Sequence, residues 1–134
     1  MIKASLRYLA LGDSYTIGEA LAVEDSWPMQ WAHALRANGV DIADPGIIAK
    51  TGWTTDELSD AIDEAESNST IRPPYDLVSL LIGVNNQYRG RSVDNYREEF
   101  SGLLTRAIAF AGNKTSHVFV VSIPDWGITK KNKK

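Results

Sequence analysis

The chain has 134 residues, of which 23% are charged, with a formal net charge of -3, two histidines and no cysteine. That length fits one domain, 1–134, built on one core, and a near-neutral balance with scattered basic residues leaves no electrostatic footprint for a nucleic-acid partner. Without cysteine there is neither a disulfide framework nor a thiolate metal site, and His33 and His117 are too far apart to form a local metal-binding spacing.

The apolar run at 8–11 predicts the first strand. Gly12 and Asp13 interrupt it at once, so the N-terminal stretch offers neither a secretory core nor a membrane span, and a cytoplasmic location is the expectation. Trp27, Trp31 and Leu35 then recur at helical spacing and Pro28 suits a first turn, which predicts a helix over 28–38. A second strand is expected at 40–43, with a continuation after Pro45 left open. Thr54 followed by Glu57 is a capping-box signal, and Leu58, Ala61, Ile62 and Ala65 line one face of the helix it opens. The connection "SNSTIRPPYD", 67–76, stops that helix with its proline pair. The third strand is predicted at 77–82. A long helix follows Ser92 with Tyr96, Phe100, Leu103 and Ala107 in period and ends at Gly112-Asn113, and the fourth strand is predicted at 118–123.

"DLVSLLIG" and "HVFVVSI" are continuous rather than alternating apolar runs, the pattern of strands covered on both faces. The order βαβαβαβ implies an α/β fold, a doubly wound parallel sheet with helices on both faces. Ligands in such sheets bind beyond the carboxyl ends of the strands, where this chain places Gly12, Asp13 and Ser14, then Gly52 to Thr54, then Gly83 to Asn86. Acyl transfer needs a hydroxyl on a tight turn and preorganised donors for an oxyanion. Ser14 supplies the first, and the Gly52 amide and the Asn85 side chain suit the second. Each also has a plain reading: Ser14 as a capping serine, Gly52 as a turn glycine, and Asn85-Asn86 as loop shapers.

Three ordered blocks, "LALGDSYTIGE", "IIAKTGWTTDEL" and "LLIGVNNQYRG", resemble those of the GDSL or SGNH hydrolases, esterases and lipases with a flavodoxin-like sheet, and "VSIPDWGIT" is similar to the segment after their fourth strand. The resemblance runs from Arg7 to Thr129. It implies Ser14 as nucleophile and oxyanion donor, Gly52 and Asn85 as further oxyanion donors, a small carboxylic ester as substrate, and neither metal nor cofactor. The family often has aspartate where Asn86 stands. Its Asp-x-x-His block, which supplies the base, has no counterpart here, because the chain ends in "ITKKNKK".

His33 lies off the apolar helix face and His117 opens the fourth strand at the opposite end, so neither suits the base; Asp13 and Asp125 are the remaining carboxylates near strand ends. The expectation is a C-terminally incomplete domain lacking the family's last strand and helix, a fragment or frameshifted product, either weakly active or a small-molecule binding module. Its strand at 118–123 would then lie on an exposed edge and favour self-association. Tyr15, Trp53, Tyr88 and Arg89 are candidate pocket residues or simple packing, and Lys130, Lys131, Lys133 and Lys134 read as a solvated tail.

Overall fold

Five consecutive buried residues, Tyr8–Gly12, form the first strand, β1, and alternate side chains from it enter two different cores. The computed structural model describes residues 5–18 and 21–123. After β1 come a short helix α1 (Ser14–Ile17), a 3-10 turn (Val23–Asp25), α2 (Trp27–Ala37), β2 (Gly46–Ala49) and α3 (Thr55–Ser67). Then follow β3 (Leu77–Leu81), a short α4 (Val84–Tyr88), α5 (Val93–Phe110), a second 3-10 turn (Thr115–His117) and β4 (Val118–Val120).

Among the described residues the strands form one parallel sheet in the order β2-β1-β3-β4. Leu9 and Leu11 of β1 and Val78 and Leu80 of β3 pack with Leu58 and Ile62 of α3 and Leu103 and Phe110 of α5. On the other face Tyr8 and Ala10 meet Ala32, Trp27 and Trp31 of α2. Both faces are thus covered, which is why the strands read as unbroken apolar runs. Within the second core the Tyr8 hydroxyl shares a 2.7 Å hydrogen bond with Ser79 Oγ, and burial pushes the phenol well above its ordinary pKa. The Trp31 ring stands edge-on to both Tyr8 and Phe119, with centroids 5.1 Å away in each case.

The helix signals translate into bonds. Glu57 Oε1 accepts from the Thr54 N–H at 3.0 Å, and Ser92 Oγ accepts from the Asn95 N–H at 3.0 Å. Two strand expectations need correction. The ladder of β2 begins at Gly46, beyond Pro45, and 40–43 contributes only an isolated bridge from Ile42 to Leu6. The Val40 N–H is already taken by Leu35 O at 2.9 Å in the turn that closes α2, so it is lost to the sheet. The fourth strand is shorter than 118–123: the Val121 N–H still reaches Leu80 O at 3.0 Å, but β3 ends at Leu81, and Ile82 O beyond it accepts from the Tyr96 hydroxyl. β4 does lie at an edge of the sheet. No helix among the described residues is long and apolar enough to cross a membrane.

Candidate active site

The strand register sets the rim. Gly12 pairs with Ala49 on one side and Leu81 on the other, so β1, β2 and β3 end at the same level. Ser14 follows two residues later, Gly52 three after Ala49, and Asn85 four after Leu81.

Gly12 is demanded by close approach. A Cβ there would lie 2.1 Å from Thr16 Oγ1 and 2.7 Å from Leu81 O, so any side chain would push α1 off the strand ends. Asp13 then caps α1: its Oδ1 accepts from the Tyr15 N–H at 3.0 Å, and its carbonyl accepts from Thr16 and Ile17, each at 3.0 Å. The first-turn amides of Tyr15, Thr16 and Ile17 are thereby used, while the Ser14 N–H has no acceptor among the described residues. Ser14 itself is half-buried at the start of the helix.

Asp13 is fully buried, and Oδ2 has no partner among the described residues. Burial raises its pKa to about 6, against the opposing pull of the Tyr15 N–H. Facing inward, it is a cap rather than a base beside Ser14. The phenol of Tyr96, which donates to Ile82 O at 2.8 Å, is raised by burial and further by the Asp13 charge.

Gly52 and Asn85 are brought together by a row of tethers. Asn85 Nδ2 donates to Trp53 O at 2.9 Å. Asn86, buried, accepts from the Thr55 N–H at 3.1 Å and donates to Thr55 Oγ1 at 2.8 Å. Arg89 Nη2 donates to Gly52 O at 2.7 Å and lies 3.2 Å from Glu57 Oε1. Arg91 pairs with Asp56. The Glu57 and Asp56 carboxyls sit below the usual range, Glu57 chiefly through the Thr54 N–H and Asp56 chiefly through the Thr54 hydroxyl. Asn85 and Arg89 are four residues apart on α4 and its cap, so both reach the same neighbouring turn.

Neither histidine reaches this rim. His33 is exposed midway along α2, and His117 precedes β4 at the opposite end of the sheet. Asp125 and the lysines from Lys130 onward lie outside the described residues. Of the candidate pocket residues, Trp53 packs partly against the core, Arg89 holds the Gly52 turn, and Tyr15 and Tyr88 are 41% and 77% exposed. A cavity of about 340 Å³, lined by Asn86, Gln87, Arg91, Ser92, Tyr96 and Ile123 among others, adjoins α4 and includes none of Ser14, Gly52 and Asn85. Among the described residues no group of three or more histidine or carboxylate side chains is placed to hold a metal ion.

Ser14, Gly52 and Asn85 each follow a strand end, as the sequence order implies, while the tethers have no local sequence signal. Asn86 does more than its plain reading as a loop shaper requires: its amide both accepts and donates to hold Thr55, a pairing between residues 31 apart in sequence that no local pattern reveals.

The solved structure of AlinE4, an SGNH-hydrolase family esterase, superposes with a TM-score of 0.73 at 25% identity, over 90% of this chain and 60% of its own. TesA matches with a TM-score of 0.68 at 17% identity, over 87% of this chain and 58% of its own, and the psychrotrophic esterase EstA from Pseudoalteromonas sp. with 0.67 at 18%, over 91% and 63%. These two share the fold. The chain thus spans about 60% of the length of the esterase AlinE4. A search of curated proteins finds no match. The family model for the GDSL-like lipases and acylhydrolases matches residues 10–133, nearly the whole chain, and the chain belongs to that family.

Proposed function

We propose that this chain carries the nucleophile and oxyanion donors of a serine esterase acting on carboxylic esters. Ser14 Oγ bonds to the ester carbonyl carbon as its proton passes to solvent, the carbonyl oxygen takes the negative charge, and the carbon–oxygen bond to the alcohol then breaks, the departing oxygen taking a proton from solvent to leave the alcohol and an acyl-enzyme. The Ser14 and Gly52 amides and Asn85 Nδ2 receive the oxyanion. The observation that carries this reading is the Asn85 tether: one amide hydrogen is spent on Trp53 O, which fixes the side chain and leaves its second hydrogen as a donor at the rim. The Ser14 N–H, without an acceptor in the capped turn, supports it from the other side.

The serine proton is the weak point. With both histidines away from the rim, the chain by itself is a slow catalyst, since loss of a triad base costs on the order of a million in kcat and leaves roughly a thousandfold over water. The same placement favours a second reading, a binding module that keeps the rim without turnover. A short p-nitrophenyl ester, assayed with and without added imidazole on wild type and Ser14→Ala, separates the two. Imidazole-stimulated turnover above the rate of imidazole alone, lost in Ser14→Ala, is expected; equal rates in the two proteins would leave the binding module.

A further inference from the structure

We infer that Glu99 is a positioning residue for the Asn85 donor, acting through Thr55 and Asn86, an inference that rests on the esterase reading above. Asn85 sits on α4, a helix of five residues, too short to hold its own place. Its Nδ2 bond to Trp53 O sets how far the amide lies from that carbonyl, while the direction of the second hydrogen depends also on where α4 carries the Asn85 backbone. The next residue settles that. Asn86, buried, grips Thr55 at two points: its Oδ1 accepts from the Thr55 N–H at 3.1 Å and its Nδ2 donates to Thr55 Oγ1 at 2.8 Å. Adjacent residues of α4 are thus pinned to Trp53 and Thr55 on the stretch that leads from Gly52 into α3, and the second attachment removes the pivot that a single bond leaves.

That grip depends on the direction of one hydroxyl. The Thr55 N–H can only donate, so the Asn86 atom facing it is the oxygen, and the atom facing Thr55 Oγ1 is the nitrogen. Toward Asn86 the hydroxyl oxygen can therefore only accept; its own hydrogen, turned that way, would meet the amide hydrogens head-on. Glu99 Oε1, on α5, takes that hydrogen. Thr55 is fully buried, so the carboxylate rather than solvent is the acceptor. The bonds run one way, from Asn86 on α4 to Thr55 on α3 to Glu99 on α5, and bonds chained in this manner strengthen one another. Glu99 touches no reacting atom in this scheme; it acts by orienting the hydroxyl.

The test uses the full chain with Glu99→Ala, Glu99→Gln, Thr55→Val and the Thr55→Val/Glu99→Ala pair, with Ser14→Ala as reference. Tyr8→Phe, which loses a buried hydrogen bond at the far end of β1, controls for stability alone. The probe is phenylboronic acid, whose boron takes the Ser14 oxygen as the serine proton passes to solvent and so presents a tetrahedral, anionic adduct to the donors. Glu99→Ala is expected to weaken its binding about tenfold, whereas Glu99→Gln, whose amide oxygen still accepts, and Tyr8→Phe stay within about twofold of wild type. Thr55→Val should lose about as much as Glu99→Ala, and the pair no more than Thr55→Val alone, because Glu99 acts only through the hydroxyl. In 15N spectra the two Asn85 Nδ2 hydrogens, one bonded to Trp53 O, should differ more in shift in wild type and Glu99→Gln than in Glu99→Ala. Unchanged boronate affinity in Glu99→Ala, an equal loss in Tyr8→Phe, or a further loss when Glu99→Ala is added to Thr55→Val overturns the inference. If Ser14→Ala binds boronate as well as wild type, the esterase reading fails instead. The Asn85 shifts then decide the positioning claim: a change in Glu99→Ala that Glu99→Gln restores sustains it, and wild-type shifts in Glu99→Ala remove it.

Discussion

Asp13 and Ser14 are neighbours with opposite environments, and the difference has a measurable sign. The Asp13 carboxyl is buried with one oxygen unpartnered, so its pKa rises to about 6 from an ordinary value of 3.8. The folded state holds that proton more tightly than the unfolded state does, so the contribution to stability is fully present below about pH 4 and is lost as pH rises through 6, by about 3 kcal/mol at most. Asp56 and Glu57 act in the opposite direction, since their lowered pKa values add stability that is lost as pH falls through their range. Asp13→Asn keeps the oxygen that caps Tyr15 and removes the charge. Urea unfolding should therefore show the variant gaining on wild type between pH 4 and pH 7; a constant gap between the two would show that Asp13 does not titrate as its burial demands.

At the level of elements, what the sequence revealed follows from length and period. The helices α2, α3 and α5 run for 11, 13 and 18 residues, long enough for a 3.6-residue stripe to show, and their caps at Thr54 and Ser92 were readable. The helices α1 and α4 have four and five residues, too few to display a period, and both lie at the rim. β2 lies in the continuation after Pro45 rather than at 40–43, where Val40 and Ile42 have strand-like composition but the turn after α2 claims the Val40 amide. The rim positions Ser14, Gly52 and Asn85 were legible from the small and polar residues that follow three strands together with the family blocks. The cross-link between β1 and β3 through Tyr8 and Ser79 was not, because both residues sit in runs that read as apolar. That bond is buried, so removing one partner strands the other: Tyr8→Phe and Ser79→Ala should each cost about 1–3 kcal/mol, and the double variant much less than their sum. Additive losses in a double-mutant cycle would show that the two hydroxyls do not couple.

At the scale of the whole molecule, the parallel sheet gathers three strand ends at one level and leaves β4 as an outer strand with Val120 49% exposed. We propose that this edge pairs with a second copy of the chain, since two identical edges related by a twofold axis are self-complementary in backbone hydrogen bonds. Sedimentation at rising concentration should show a monomer–dimer equilibrium that Val120→Lys shifts toward monomer. A single monomeric species at every concentration would remove the proposal.

The bonds running from Asn85, Asn86, Arg89 and Arg91 to Gly52, Trp53, Thr55 and Asp56 have a mechanical corollary. They weld two of the three corners of the rim into one plate, whereas the corner bearing the hydroxyl is seated separately, on the glycine that lets α1 settle against Leu81. Thermal breathing here should then act like a hinge between plate and seat, varying the distance from attacker to donors while the spacing between the donors hardly changes.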